Sequence, residues 1–396
     1  MLHSFHSGLK IRALRGVLPA FKAPAIEQLK IEGLKPRSIE QTLKSFGYQY
    51  CRQLPPPATF TDMMLPAIQE FLQQEQLLPQ EIYGLISVTQ TPDYMTPCNS
   101  FFYHKELNFM PNCVCLDLYG TCSGLFNALL TAGSLITSGA CQRILIIVGD
   151  SFRFCLPYNY NDIVHLLGDG GGILLLEAAD AEHSQAITLD FSTFSASFDC
   201  SVNKIISMRD PSAELVQNTY QRVADMEYRQ SFKPQERCPN NSQQRMEMFK
   251  ITRLAQQQIL HSLQRLLKHN NLKLSDLGCS VMYQCNKETL EQLNLMLNQA
   301  VRAHLKHSQG SQAATQEQDP WSCFDLEREN FFTFVAEDVG HLFSSSQIVS
   351  LSMSAGRIPD CTTKPVFLSA FGTGMSITSA LINFAPTHIY PIFIYQ

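Results

Sequence analysis

The sequence predicts an α/β fold with an extensive sheet. Apolar, β-branched runs alternate with runs of helical period, the longest apolar segments such as "ILIIVG" at 144–149 are of strand length, and the second half repeats the logic of the first. Alternation of this kind builds sheets covered by helices. In order, "YGLISVTQ" (83–90), bounded by Gly84 and Pro92, reads as a strand, and "CVCLDLYG" (113–120) as another. "GLFNALLTAGSLITSG" (124–139) carries apolar residues at three-to-four spacing and ends at Gly139, which is a helix with a glycine stop. "RILIIVGDS" (143–151) and "GGILLLEAA" (171–179) are buried strands, and "MEMFKITRLAQQQILHSLQRLLKHNN" (246–271) is a long amphipathic helix. "PVFLSAFGTGMSITSALINF" (365–384) is a strand, a glycine turn and a second strand. "LLPQEIYGLISVTQT" (77–91) and "LKLSDLGCSVMYQCN" (272–286) share a Leu, a polar turn, an acidic residue, a Gly and a short strand. Two related halves follow, 1–185 and 186–396. Polar segments near 196–245 and 305–325 read as additions to them, and the apolar tail "PTHIYPIFIYQ" as a segment packed on the body.

Composition narrows the function classes. At 396 residues, 45% hydrophobic and 16% charged, the chain can bury one large or two medium cores. A net charge of −5 with no long Lys/Arg run argues against nucleic acid. The N-terminal "MLHSFHSGLKIRALRG" has no apolar core of secretory length, and no run reaches the ~18 apolar residues of a membrane span. The 13 Cys are scattered, and none falls in a paired zinc spacing, so no metal is expected. In a chain of this size they read as reduced thiols of a cytoplasmic protein.

One cysteine stands apart. In "LYGTCSGLFNALLTAG" (118–133) a strand enters a turn of small residues and then a helix, which puts Cys122 at a helix N-terminus. Free N–H groups and the helix dipole favour a thiolate there and could line an oxyanion hole. A thiolate is the attacking form in acyl transfer. A buried structural thiol is the competing reading.

The surrounding residues resemble those of β-ketoacyl-acyl-carrier-protein synthase III and its thiolase-fold relatives. The stretch from "DLYGTCSG" to "IIVGDS" resembles the family's nucleophile region, and "HLLGDGGGILLLE" (165–177) resembles its Phe-Gly-Asp-Gly-Ala-Gly strand. "MEMFKITRLA" resembles the start of the helix before its histidine motif, and "FLSAFGTGMSITSALINF" (367–384) its terminal Gly-rich hairpin. They fall in family order over about 75–185 and 245–385. The resemblance implies two similar α/β halves with mixed five-stranded sheets in a layered αβαβα arrangement. It also implies a homodimer, or a heterodimer with a same-fold subunit, and no permanently bound cofactor. The substrate would be an acyl thioester of acyl carrier protein or coenzyme A.

The chain departs from the family where chemistry is done. The family's His-Gln-Ala-Asn reads Tyr283-Gln284-Cys285-Asn286, and His341 in "VGHLFSSS" falls where its catalytic Asn would stand. The catalytic set implied is Cys122, His341 and Tyr283, with His341 as base, because the unperturbed pKa of Tyr is near 10 and that of His near 6.5. The oxyanion hole implied is the backbone N–H of Cys122 and of Thr373. Where the family places a coenzyme A-binding Arg, the chain has Glu288, which favours a carrier-protein donor. His165 and Cys285 are read as structural, Asp169 with Gly170–Gly172 as shaping a strand turn, and Asn286 as a loop anchor. The activity expected is acyl transfer from Cys122 to an alcohol, amine or carbon nucleophile. Decarboxylative condensation and a degenerate supporting subunit remain the alternatives.

Overall fold

The computed structural model describes residues 1–31, 35–94, 96–120, 122–151, 166–194, 241–310, 322–354, 363–372 and 375–396, with backbone alone at 241–249 and 307–310. Among them are thirteen strands and eight α-helices. The first sheet has the order β13-β2-β8-β7-β5-β6, made of His388–Tyr395, Leu9–Pro19, Gly170–Ala178, Arg143–Asp150, Gly84–Val88 and Val114–Leu118. The second has the order β1-β9-β12-β11-β10, made of Leu2–Phe5, Ile187–Thr193, Ser376–Ile382, Val366–Gly372 and Ser280–Met282. Both are mixed. In the first, β5 runs parallel to β6 and β7, and β8 runs antiparallel to β7 and β2. In the second, β10 is parallel to β11 and the remaining pairs are antiparallel.

Helices cover both sheets and fill the space between them. α3 (Phe60–Gln74) and α4 (Asn99–Glu106) pack on the outside of the first sheet. α6 (Asn241–His269) lies on the second, with α7 (Lys287–Gly310) against it. α5 (Gly124–Thr137) and α8 (Ser346–Met353) sit between the sheets. The predicted αβαβα layering follows from these contacts. α5 is buried along Leu125, Phe126, Ala128, Leu129, Ala132 and Ile136, as expected of a helix enclosed by two apolar sheet faces. It meets Ile86, Val88 and Ile146 of one sheet and Leu368 and Ala380 of the other in a single core.

The repeated motif is visible as structure. A 3-10 turn at Pro79–Glu81 leads to β5, and another at Leu274–Asp276 leads to β10. In each turn an acidic side chain accepts the N–H three residues before it, Glu81 from Leu78 at 2.9 Å and Asp276 from Lys273 at 2.8 Å. The shared polar-turn pattern is therefore one local device used twice.

Three features go beyond the sequence expectation. The apolar tail is β13, which joins β2 in parallel and makes the first sheet six-stranded rather than five. β1 and β13 each lie in the sheet of the opposite half, so a boundary at 185 does not separate the sheets. Cys279, just before β10, is disulfide-bonded. The expectation of reduced thiols does not hold at this residue. Among the described residues no helix is long and apolar enough to cross a membrane.

Candidate active site

Cys122 is placed by a turn that only small residues can make. β6 ends at Leu118, and α5 begins six residues later at Gly124. A Cβ on Gly120 would lie 2.5 Å from the Gly124 Cα, and one on Gly124 would lie 2.6 Å from a Val88 methyl carbon. The backbone therefore folds back on itself and holds Cys122 inside the protein, 7% exposed. We expect Gly120→Ala to cost about 1–3 kcal/mol, because the contact is with backbone and the turn must open. A urea unfolding midpoint unchanged from wild type would refute this.

Tyr283 follows β10 directly, and its N–H donates to the Ser369 carbonyl of β11 at 2.8 Å. His341 sits in a bridge to Leu167. Its N–H donates to the Leu166 carbonyl at 2.9 Å, and its carbonyl accepts the Gly168 N–H at 3.0 Å. The two strand-end loops and the Cys122 turn converge. The Cys122 thiol donates to Tyr283 Oη at 2.9 Å, and Tyr283 Oη lies 2.6 Å from His341 Nε2. The three predicted residues thus form a line, Cys122–Tyr283–His341, with the tyrosine in the middle. His341 reaches the thiol through Tyr283 rather than as a directly adjacent base.

Burial sets the electrostatics. It pushes the Cys122 thiol up to about 12, opposed by the Tyr283 hydrogen bond and reinforced by Asp150. The expected thiolate at the helix terminus is therefore not the resting form. One helix end and one hydroxyl stabilise the anion less than full desolvation destabilises it. Burial also lowers His341 to about 4, while the Gln284 and Cys285 carbonyls act in the opposite direction. Tyr283 is raised well above its ordinary value by burial and by the neighbouring Cys122. All three groups are neutral at pH 7, and the line is a chain of neutral hydrogen bonds.

Three residues that sequence reasoning missed complete the site. Tyr48 is fully buried, and its Oη lies 3.2 Å from His341 Nδ1. It is carried there by a small ribbon of β3 (Lys22–Pro24) and β4 (Tyr50–Arg52). Hydrogen bonds from Gln49, Tyr50 and Arg52 to the Glu337 and Val339 carbonyls hold this ribbon along the approach to His341. Asp150, at the end of β7, accepts from the Gln90 N–H at 2.7 Å and the Ser344 hydroxyl at 2.5 Å. It thereby ties the first sheet to the turn after His341. Phe343 in that turn has a φ of +48°, a strained backbone for a bulky side chain, and its ring stands edge-on to His341 at 4.5 Å. For Asp150 the signal was its place at the end of a buried strand. Tyr48 has no local signal at all.

The remaining expectations sort plainly. Asn286 caps α7, accepting the Thr289 N–H at 2.7 Å, and Cys285 is a buried core thiol. Asp169 accepts the Leu54 N–H at 2.8 Å just before β8. Glu288 is hydrogen-bonded by the Ser45 hydroxyl of α2 (Pro36–Phe46). Thr373, His165 and the only tryptophan, Trp321, lie outside the described residues. Among the described residues no group of three or more His, Cys, Asp or Glu is placed to hold a metal ion.

A mixed, helix-covered pair of sheets enclosing a cysteine-headed helix defines a thiolase fold. Within it, residues 116–195, which carry Cys122 and α5, match the family model of 3-oxoacyl-(acyl-carrier-protein) synthase III. The whole chain resembles a 3-oxoacyl-(acyl-carrier-protein) synthase from Burkholderia xenovorans at a TM-score of 0.73 and 16% identity, covering 100% of this chain and 99% of that one. It resembles synthase III from Aquifex aeolicus at 0.68 and 17%, covering 95% and 100%. A priming β-ketosynthase of a polyketide biosynthetic pathway matches at 0.70 and 18%, covering 97% and 98%. The fold is that of the synthase III structures.

Proposed function

We propose that the protein is a synthase III-like acyltransferase in which Cys122 takes an acyl group from a thioester and passes it to an acceptor. The observation that carries this is the continuous line from thiol to imidazole through Tyr283. The Cys122 proton moves to Tyr283 Oη as the Tyr283 proton moves to His341 Nε2, leaving a thiolate and an imidazolium. The thiolate attacks the thioester carbonyl, and collapse of the adduct expels the carrier thiolate, which recovers the proton through the same path. An acceptor hydroxyl or amine then loses its proton to the freed Nε2 through Tyr283. It attacks the acyl carbon and expels Cys122 as thiolate, which is reprotonated. The Cys122 N–H would hold the oxyanion, with the Thr373 N–H as second donor.

Decarboxylative condensation needs two donors aimed at one thioester carbonyl. Here both nitrogens of His341 are engaged, one by Tyr283 and one by Tyr48, which leaves Tyr283 alone facing the thiol. This favours acyl transfer. Glu288, hydrogen-bonded by Ser45 where a phosphate-clamping Arg would stand, favours an acyl carrier protein over coenzyme A as donor. We propose a dimer as the working form.

A second reading, a catalytically silent subunit, is favoured by one observation, the sealed, high-pKa thiol. Intact mass after incubation with acyl-carrier and acyl-coenzyme A thioesters separates the two. The enzyme reading expects an acyl adduct on wild type that is absent in Cys122→Ala. No adduct with any donor would overturn it.

A further inference from the structure

We propose that Tyr48 is a positioning residue that fixes the direction of the proton path from Cys122 to His341. The inference rests on the reading above, that His341 receives the Cys122 proton, and asks what makes the ring able to receive it. Neutral imidazole has one N–H and one bare nitrogen, and a reversed assignment would make Nε2 a donor and block the path.

Two backbone carbonyls decide the matter. Tyr48 Oη lies 2.7 Å from the Gln284 oxygen and 2.8 Å from the Cys285 oxygen. A carbonyl oxygen only accepts, so the single Tyr48 proton must point at this pair. Turning it toward His341 would leave three oxygens in contact with no proton among them. What Tyr48 offers the ring at 3.2 Å is therefore a lone pair, and His341 Nδ1 must be the N–H. Nε2 is then bare and accepts from Tyr283 Oη at 2.6 Å. The Tyr283 oxygen is left to accept the Cys122 thiol at 2.9 Å. Cys122 and Tyr283 then each donate once along the line, and both of these protons point toward His341. The same carbonyls, belonging to the residues right after Tyr283, also face the imidazole and favour its charged form once the proton arrives.

Tyr48 hydrogen-bonds the Gln284 and Cys285 carbonyls and His341, not the thiol, so its role is read through His341. The test is nitrogen NMR of protein labelled with 15N-histidine, with no acyl donor present. The His341 signals are identified among the 11 histidines by their loss in His341→Asn. We expect wild type to show a protonated Nδ1 and a bare Nε2. We expect Tyr48→Phe, which keeps the ring and removes the acceptor, to shift the tautomer ratio toward Nε2–H about tenfold, the size of one lost hydrogen bond. A wild-type His341 protonated on Nε2 would overturn the proposal, as would a folded Tyr48→Phe with an unchanged ratio. If Tyr48→Phe does not fold, the wild-type spectrum still decides. The expected tautomer in a protein that no thioester acylates would support this hydrogen-bond assignment and sink only the enzymatic reading.

Discussion

Tyr283→Phe should slow acylation of Cys122 by about 10²- to 10⁴-fold, the contribution of a positioned proton acceptor. The thiol rests near 12, so at neutral pH it reacts only as fast as its proton can be taken away, and Tyr283 is its link to His341. Phenylalanine keeps the ring between Phe371 and His341, whose centroids lie 5.6 and 5.2 Å away. The fold should survive with a loss of about 1–3 kcal/mol, because His341 Nε2 is left buried without a donor. Rapid-quench mass spectrometry of the acyl adduct measures the rate, and thermal melting checks the fold. A folded variant that acylates within a few-fold of wild type would show that the thiol does not use this path.

Glu75→Ala should cost about 3 kcal/mol of stability. The Glu75 carboxylate is 1% exposed and is held by Arg12 Nε at 2.6 Å, His388 Nδ1 at 3.0 Å and Tyr390 Oη at 2.8 Å. It joins the end of α3 to β2 and β13. Breaking a buried pair strands the partner charge. The effect falls at the lower end of the usual range because Arg12 keeps Glu177 at 3.2 Å. Burial alone would raise the Glu75 pKa, but the hydrogen bonds from Arg12, Tyr390 and His388 prevail and lower it below 4.5. The sign of the pH dependence follows. The unfolded chain takes up the proton first, so this contribution is complete above about 4.5 and is lost as the pH falls below it toward the depressed folded value. Urea unfolding at pH 6 and at pH 3.5 should show the wild-type advantage over Glu75→Ala shrinking at the lower pH. An advantage that does not change between the two would refute it.

The parts of this molecule that a reader of the sequence could see are those with local causes. α5 and its glycine stop, β6 and β7, and the turn around Cys122 are written in periodicity and in Gly120 and Gly124. The tail was legible as something packed and not as a strand. Its one-sided paired edge tolerates Pro391, and its register shift between Tyr390 and Phe393 blurs the alternation. The line Cys122–Tyr283–His341 was half legible. Aligning motifs put Cys122, Tyr283 and His341 at one centre, and only coordinates could show that tyrosine lies between the other two. Tyr48 was out of reach. It meets His341 across 293 residues of chain, and nothing in "KSFGYQYCRQL" marks it as different from any core tyrosine. The thiol's pKa was misjudged because the helix terminus is a local signal and desolvation is not.

The exchange of terminal strands between the sheets constrains the order in which the molecule can be made. β2 pairs with β8 across some 160 residues, so most of the first sheet can close once the ribosome has delivered residue 178. Its last strand pairs Leu14 with Ile389, and that contact waits until residue 389 has been made. β1, made before all of these strands, stays unpaired until β9 arrives. Contacts this distant along the chain close slowly. The nascent protein therefore carries an open edge on β2 from the closing of β8 until residue 388 is reached, and β13 is the strand that finally covers it.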